Sequence, residues 1–216
     1  KTIEYINAGG TFDVSIQITI PNEWEKVAPV NIGVTAGIEA TKVAPAWIEK
    51  SFLMNKIITI SEFSKKTYED TVYTGVNNNT GEHVEFRTTS PIEYVSYPVR
   101  KAVPKKINLE LQTDFNFLAV AQLGPRKNTD QLIRTFVEQF KDNEDVGLII
   151  KSNMAKNSLI DRENTLTRLK NVVGPHQDRK CKIYLLHGYL SEEEMAGLYT
   201  HPKVKALVST THGEGF

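Results

Sequence analysis

The sequence predicts an α/β protein built from two doubly wound lobes. From residue 13 onward, short apolar segments alternate with segments of helical period, which is the pattern of parallel strands joined by crossover helices. The alternation stops between residues 90 and 113, where three prolines and four basic residues stand without helical period, and then restarts. We therefore predict a first lobe in residues 1–100, a linker in residues 101–114 and a second lobe in residues 115–216.

The first lobe contains three predicted strands and one predicted helix. The strands are residues 14–20, 31–35 and 56–60. The third strand is a nearly continuous β-branched run, which favours a buried parallel strand. Ser61 suits the N-cap of the following helix, which we expect to end at Gly75. The asparagine-rich residues 76–82 then predict an exposed loop.

Four strands and three helices alternate in the second lobe, as in a doubly wound sheet. The strands are predicted at residues 115–121, 146–151, 182–186 and 206–209, and the helices at residues 128–141, 159–173 and 191–199. The first helix has the clearest amphipathic pattern, because its apolar residues fall on one face. Ser191 and Glu194 have the spacing of a capping box at the start of the last helix.

Composition excludes several classes of function. The 216 residues are 40% hydrophobic, enough to fill a core, and 26 basic residues balance 26 acidic ones, so no global field favours nucleic acid. No apolar run approaches the ~20 residues of a membrane-spanning helix, and the N-terminus lacks the apolar stretch of a signal peptide. The single cysteine, Cys181, excludes an intrachain disulfide and fits a reducing compartment. We expect a cytoplasmic protein.

The turn at residues 122–128, Gln-Leu-Gly-Pro-Arg-Lys-Asn, is the strongest local candidate for chemistry. It lies between an apolar strand and an amphipathic helix, which predicts Arg126 and Lys127 beside unpaired backbone N–H groups and the positive end of a helix dipole. One arginine can donate two parallel hydrogen bonds to a phosphate group, and lysine acts as a point charge, so the turn suits a diphosphate. A solvated basic turn is equally consistent with the local sequence.

The order of motifs in the second half is more specific. After Lys127 and Asn128, the tripeptide His-Gly-Tyr follows a strand at residues 187–189, and Gly-Glu-Gly-Phe follows the last strand at residues 213–216. This order resembles the donor-binding lobe of retaining glycosyltransferases of the GT-B architecture (glycosyltransferase group 1, family 4-like), which have two Rossmann-like lobes. The resemblance covers nearly all of residues 115–216. It implies that both lobes are incomplete in this chain, which we expect to be a fragment.

The resemblance also implies residue roles. Lys127 matches the lysine that contacts the donor diphosphate, and Glu214 matches the first of two glutamates seven residues apart, expected to contact hydroxyls of the donor sugar. The Gly-Arg pair usual after the first strand is Ala121-Gln122 here, so Arg126 would substitute for the missing arginine. The predicted catalytic residues are Glu214, Lys127 and Arg126. The predicted donor-binding residues are Gly124, Asn128, His187, Gly188, Tyr189, Gly215 and Phe216.

Some of these residues have structural alternatives. The loop at His187 would border the nucleotide base, largely through backbone groups, but a histidine there is also an ordinary polar turn residue. The first half resembles the later part of an acceptor lobe, where Gly37 and Glu39 follow a strand and are candidates for the acceptor side. Glu39 equally suits a helix cap or a buried ion pair. Trp24 and Trp47 are predicted to be core residues.

The resemblance implies retaining transfer of a hexose from a nucleotide diphosphate sugar to a hydroxyl of a glycan, lipid or protein acceptor. It implies no metal or other cofactor, in agreement with the absence of an Asp-x-Asp signature. Zinc spacings, a Walker loop, a Gly-x-Ser-x-Gly elbow and a Gly-x-Gly-x-x-Gly loop are also absent. Two alternatives remain: a nucleotide-sugar epimerase, or a non-catalytic remnant that binds a sugar nucleotide or glycan. The missing arginine at Gln122 supports the remnant.

Overall fold

The computed structural model describes residues 2–36, 38, 40–76 and 80–213. The chain divides into two compact units, one ending at Val99 and one running from Arg100 to Gly213. Each unit contains its own parallel sheet, and the mixed α/β architecture is the one that the sequence predicts. Among the residues that the structure describes, none of the helices combines the length and apolar character that crossing a bilayer requires. The assignment of the two units to acceptor and donor binding stays a prediction.

The first unit contains a four-stranded parallel sheet and a hairpin. Its helices are α1 (Thr2–Asn7), α2 (Pro45–Ser51) and α3 (Glu62–Asp70). Its strands are β1 (Val14–Ile18), β2 (Val30–Val34), β3 (Lys56–Thr59), β4 (Tyr73–Val76), β5 (His83–Phe86) and β6 (Ile92–Tyr94). The parallel sheet has the order β1-β2-β3-β6, and β4 pairs antiparallel with β5. The three predicted strands are therefore confirmed: the first and third end earlier than predicted, and the second begins and ends one residue earlier.

The core of this unit forms around Trp24, which is fully buried. Gly33 in β2 lies so close to the Trp24 ring that a Cβ there would come within 2.5 Å of it, which explains the glycine. Trp47 packs against the same core and donates a hydrogen bond to Asn22 Oδ1 at 3.2 Å. The prediction of a core residue is confirmed for Trp24, whereas Trp47 is partly buried and packs against that core.

The prediction that the helix after Ser61 runs to Gly75 is wrong. Ser61 caps α3 as predicted, accepting a hydrogen bond from Ser64 N at 3.2 Å, but the helix ends at Asp70. Thr71 has extended backbone angles, and Gly75 lies within β4. The residues after Asp70 are β-branched and aromatic, a composition that favours a strand.

The second unit is a parallel sheet with helices on both faces. Its strands are β7 (Phe115–Val120), β8 (Val146–Lys151), β9 (Lys182–Leu186) and β10 (Val204–Leu207), and its helices are α4 (Thr129–Phe140), α5 (Leu159–Val173) and α6 (Glu192–Tyr199). All seven predicted elements are present, although the last strand begins and ends two residues before its predicted position. The capping box of α6 is confirmed by reciprocal hydrogen bonds between Ser191 and Glu194, at 3.2 and 3.0 Å.

Residues predicted to be a linker pack onto one face of this sheet. The side chains of Ile107, Leu109 and Leu111 contact a cluster that includes Leu118 of β7 and Leu198 of α6. The amide of Lys105 also donates a hydrogen bond to the carbonyl of Glu193 at 2.9 Å. On the opposite face, α4 and α5 pack against β7 and β8. The whole 101–114 segment therefore belongs to the second unit.

The strand order β10-β7-β8-β9 places a topological switch point between β7 and β10. The chain runs outward from β7 through β8 to β9, and then returns to β10 on the other side of β7. In open α/β sheets, ligands bind outside the carboxyl ends of the strands where the order reverses in this way. The switch point therefore predicts where in this unit a ligand binds.

Candidate functional site

The turn after β7 contains a short 3-10 helix, Pro125–Lys127. The amide of Lys127 donates to the carbonyl of Gly124, and the amide of Asn128 donates to the carbonyl of Pro125, both at 3.2 Å. The prediction of unpaired N–H groups in this turn is thus wrong for these two residues. Proline at the first position fixes a φ that suits such a turn, and the turn bonds then satisfy both amides.

Asn128 connects this turn to α4 in a left-handed conformation, with φ 50° and ψ 35°. Asparagine tolerates this region better than other residues that carry a Cβ. Asn128 is also the N-cap residue of α4, but its side chain makes no capping hydrogen bond. The first-turn amides of a twelve-residue helix therefore lie at the carboxyl edge of the sheet, with the positive end of the helix dipole.

An acidic side chain in the first turn of α4, that of Asp130, forms an ion pair with an arginine. The carboxylate of Asp130 accepts two hydrogen bonds from the guanidinium of Arg168 in α5, at 3.2 and 3.1 Å. Paired guanidinium–carboxylate bonds of this kind are strong and well oriented. The negative charge of Asp130 is thus offset by Arg168, which leaves the amino end of α4 favourable for an anion.

The loop after β10 contacts the turn after β7. The Nη1 of Arg126 donates to the carbonyl of Gly213 at 2.6 Å, and the carbonyl of Arg126 accepts from the amide of His212 at 2.9 Å. Thr210 Oγ1 donates to the carbonyl of Asn128 at 3.0 Å. The two loops that meet at the switch point are therefore joined by hydrogen bonds.

These contacts bring Arg126 next to the start of the predicted sugar-binding motif. Gly213 is the first residue of Gly-Glu-Gly-Phe, while Glu214, Gly215 and Phe216 lie outside the described residues, as do Gly37 and Glu39. Arg126 has a structural contact that sequence reasoning missed, since its guanidinium binds a backbone carbonyl. Guanidinium carries five N–H donors, so a contact with Gly213 is compatible with binding an anion as well.

A cavity of about 250 Å³ opens at the carboxyl ends of β7, β8 and β9, and we call it the β7–β9 cavity. Its apolar wall includes Val120, Leu190 and Met195. The other lining residues are Ala121, Gln122, Lys151, Ser152, Asn153, Asn157, Gly188 and Tyr189. Gln122 also belongs to the turn that carries Arg126 and Lys127, so the cavity and the cationic turn share this residue.

Lys151 is a residue of this cavity that sequence reasoning missed. It is the last residue of β8, and its Nζ donates to the carbonyl of Gly188 at 2.5 Å. Gly188 has φ 108°, a conformation that favours glycine. Burial lowers the pKa of Lys151 below that of an exposed lysine. The available sequence signal was a lysine at the end of an otherwise apolar buried strand.

His187 is directed into the protein and not towards the cavity. Its Nε2 lies 2.8 Å from Oδ2 of Asp161, and the two side chains are only 3% and 8% exposed. The carboxylate of Asp161 also accepts hydrogen bonds from the amides of Met154 and Ala155, at 3.2 and 2.9 Å. The hydrogen bond with His187, followed by these amides, holds the pKa of Asp161 below its usual range.

The His187–Asp161 pair therefore connects the first residue after β9 to the first turn of α5, and the Asp161 carboxylate also holds the loop after β8. Of the predicted tripeptide, only Gly188 and Tyr189 line the cavity, and the Tyr189 side chain is 79% exposed. Contact between these two residues and a ligand stays a prediction. No group of three or more His, Cys, Asp or Glu side chains within the described ranges is arranged to hold a metal ion.

No protein-family model matches the sequence, and a search of curated proteins finds no match either. Solved structures do resemble it. The apo structure of OtsA matches with a TM-score of 0.55 at 10% identity, over 86% of this chain and 47% of that chain. The apo form of the lipopolysaccharide outer core galactosyltransferase WaaB matches with a TM-score of 0.54 at 15% identity, over 100% of this chain and 54% of that chain.

The crystal structure of TarM matches with a TM-score of 0.53 at 16% identity, over 99% of this chain and 40% of that chain. At these identities the likeness shows the fold, which is that of GT-B glycosyltransferases. The chain spans roughly half the length of these three structures or less.

Proposed function

We propose that this chain is part of a glycosyltransferase that moves a hexose from a nucleotide diphosphate sugar to an acceptor hydroxyl with retention of configuration. One observation carries the proposal: the switch-point loops place Arg126, Lys127 and the amino end of α4 beside the loop that leads to Glu214. The GT-B fold supports glycosyl transfer as the class of reaction. The acceptor is a glycan, a lipid or a protein.

The chemistry follows from where negative charge develops. When the bond between the sugar and the diphosphate breaks, charge accumulates on the departing phosphate oxygens. Lys127, Arg126 and the first-turn amides of α4 are fixed donors at that point, and preorganised donors of this kind stabilise a transition state strongly. The carboxylate of Glu214 would accept hydrogen bonds from sugar hydroxyls. These residues need no metal ion for their roles.

We predict that Lys127→Ala weakens binding of the donor diphosphate. Losing one charge-assisted contact is expected to raise the Kd of UDP or GDP, whichever binds, about tenfold, equivalent to about 1.4 kcal/mol. Isothermal titration calorimetry on the purified protein measures this effect. Lys141→Ala is the matched control, because Lys141 is exposed at the opposite end of α4. Equal affinity of Lys127→Ala and wild type would remove Lys127 from the site.

A binding protein without catalysis is the second candidate, and the residue at position 122 favours it. The side chain of Gln122 replaces the usual arginine, and its Nε2 donates to the carbonyl of Met154 at 2.7 Å. This interaction joins two loops and contributes no cation. Product analysis with and without acceptor separates the candidates: a transferase forms a glycoside, an epimerase forms an isomeric nucleotide sugar, and a binding protein leaves the donor unchanged.

A further inference from the structure

The β7–β9 cavity lies where the nucleoside of a bound donor would extend. In the strand order β10-β7-β8-β9, the turn after β7 that carries Arg126 and Lys127 has the loop after β10, which leads to Glu214, on one side and the cavity at the ends of β8 and β9 on the other. The sugar and the nucleoside leave a diphosphate in opposite directions. If the sugar lies towards Glu214, the nucleoside therefore extends towards the cavity.

The lining of the cavity suits a flat ring with a polar edge. Val120, Leu190 and Met195 supply an apolar wall against which the face of a base can pack. Lys151 is the only charged residue among the described residues that line the cavity. A ligand atom opposite Lys151 must therefore be a hydrogen-bond acceptor, because an ammonium group only donates.

The side chain of Lys151 has a defined position, which a residue needs if it is to select a ligand by hydrogen bonding. Its Nζ is anchored by the carbonyl of Gly188, and the side chain is half-buried at the end of a central strand. An ammonium group has three N–H donors, so donors remain after this bond. Partial burial strengthens any hydrogen bond that the remaining donors make.

We propose that Lys151 donates a hydrogen bond to a carbonyl oxygen of the nucleobase, and that the protein therefore prefers uracil or guanine nucleotides to adenine nucleotides. Uracil and guanine carry a carbonyl on the edge that distinguishes the bases, whereas adenine presents an amino group there. A lysine opposite that amino group faces another donor. The inference rests on the proposed function, because it assigns the cavity to the base of the donor.

Isothermal titration calorimetry with UDP, GDP and ADP tests the inference. Wild-type protein is expected to bind UDP or GDP about tenfold more tightly than ADP, the usual scale of discrimination by one well-placed hydrogen bond. Lys151→Met should reduce this preference to within about threefold and leave ADP binding unchanged. Lys182→Met is the matched control, because Lys182 begins the neighbouring strand at the opposite edge of the sheet, and it should retain the full preference.

The outcomes separate the two proposals. Equal binding of all three diphosphates by wild-type protein overturns the role of Lys151 and leaves the proposed function standing. An equal loss of affinity for all three in Lys151→Met also overturns it, because it indicates contact with the phosphates or a structural role. If no diphosphate binds to wild type, the proposed function fails and the inference fails with it. Equal wild-type binding of the three diphosphates overturns the role of Lys151 even if Lys151→Met does not fold.

Discussion

At the scale of single residues, the site depends on backbone conformation as much as on charge. Asn128 has a left-handed conformation between the 3-10 turn and α4. Arg126 and Lys127 therefore belong to the turn and not to the helix. Sequence reasoning identified these two cations from their position after a strand. It could not predict the left-handed residue, because a Lys-Asn pair is also compatible with an ordinary helix start.

We predict that Asn128→Gly leaves the free energy of unfolding within about 0.5 kcal/mol of wild type, whereas Asn128→Ala lowers it by about 1 kcal/mol. Alanine pays the steric penalty of the left-handed region, and glycine does not. Urea denaturation of the two variants measures the difference. If alanine proves as stable as glycine, the backbone at this position is not left-handed in solution.

At the scale of elements, the carboxyl edges of the strands are joined by contacts between distant residues. Lys151 reaches Gly188 across 37 residues, and Asp161 reaches His187 across 26. The sequence predicted β8, α5 and β9 with correct ends, because their periodicity is local. It predicted neither contact, since a hydrogen bond between residues far apart in the sequence leaves no periodic signal. The strands β4, β5 and β6 were missed because each is only three or four residues long, too short for a clear periodic signal.

The Asp161–His187 pair makes the stability of the folded protein depend on pH in the acid range. The pKa of Asp161 is lower in the folded protein than in the unfolded chain, where it is about 3.9, so its stabilising contribution is full above that value. The contribution is lost as the pH falls through the folded pKa. We predict that Asp161→Asn lowers the urea midpoint at pH 6, and that the difference from wild type shrinks below about pH 4.

The control for this prediction is Asp142→Asn, which removes an exposed carboxylate near the end of α4 and should follow wild type throughout. Urea midpoints measured in steps from pH 6 to pH 3 give the comparison. A constant difference between Asp161→Asn and wild type across this range would show that the carboxylate does not titrate as part of the pair.

At the scale of the whole molecule, the contacts divide the chain between Val99 and Arg100, so the 101–114 segment belongs to the second unit. Prolines and basic residues without helical period favoured a linker. The apolar residues Ile107, Leu109 and Leu111 alternate with polar ones in that segment, and this spacing places them together against the sheet. Gly197 of α6 permits the contact, because a Cβ there would lie 1.9 Å from the carbonyl oxygen of Lys105.

We predict that Gly197→Ala lowers the free energy of unfolding by about 1–3 kcal/mol through overpacking, although alanine is the better helix former. Gly174→Ala is the control, since nothing lies within 4 Å of a Cβ added there, and it should be neutral or slightly stabilising. Urea denaturation measures both variants. Faster tryptic cleavage after Lys105 or Lys106 would show that the segment has been released. Unchanged stability of Gly197→Ala would mean that the segment does not pack on α6.

The burial of Trp24 has a spectroscopic consequence. Both tryptophans of the chain, Trp24 and Trp47, lie in the first unit, so tryptophan emission follows the unfolding of that unit alone. Circular dichroism reports the helices of both units. A denaturation curve recorded with both signals therefore reveals whether the two units lose their structure together, without any added label. A ligand that contacts only the second unit is expected to leave that emission unchanged unless the first unit responds to it.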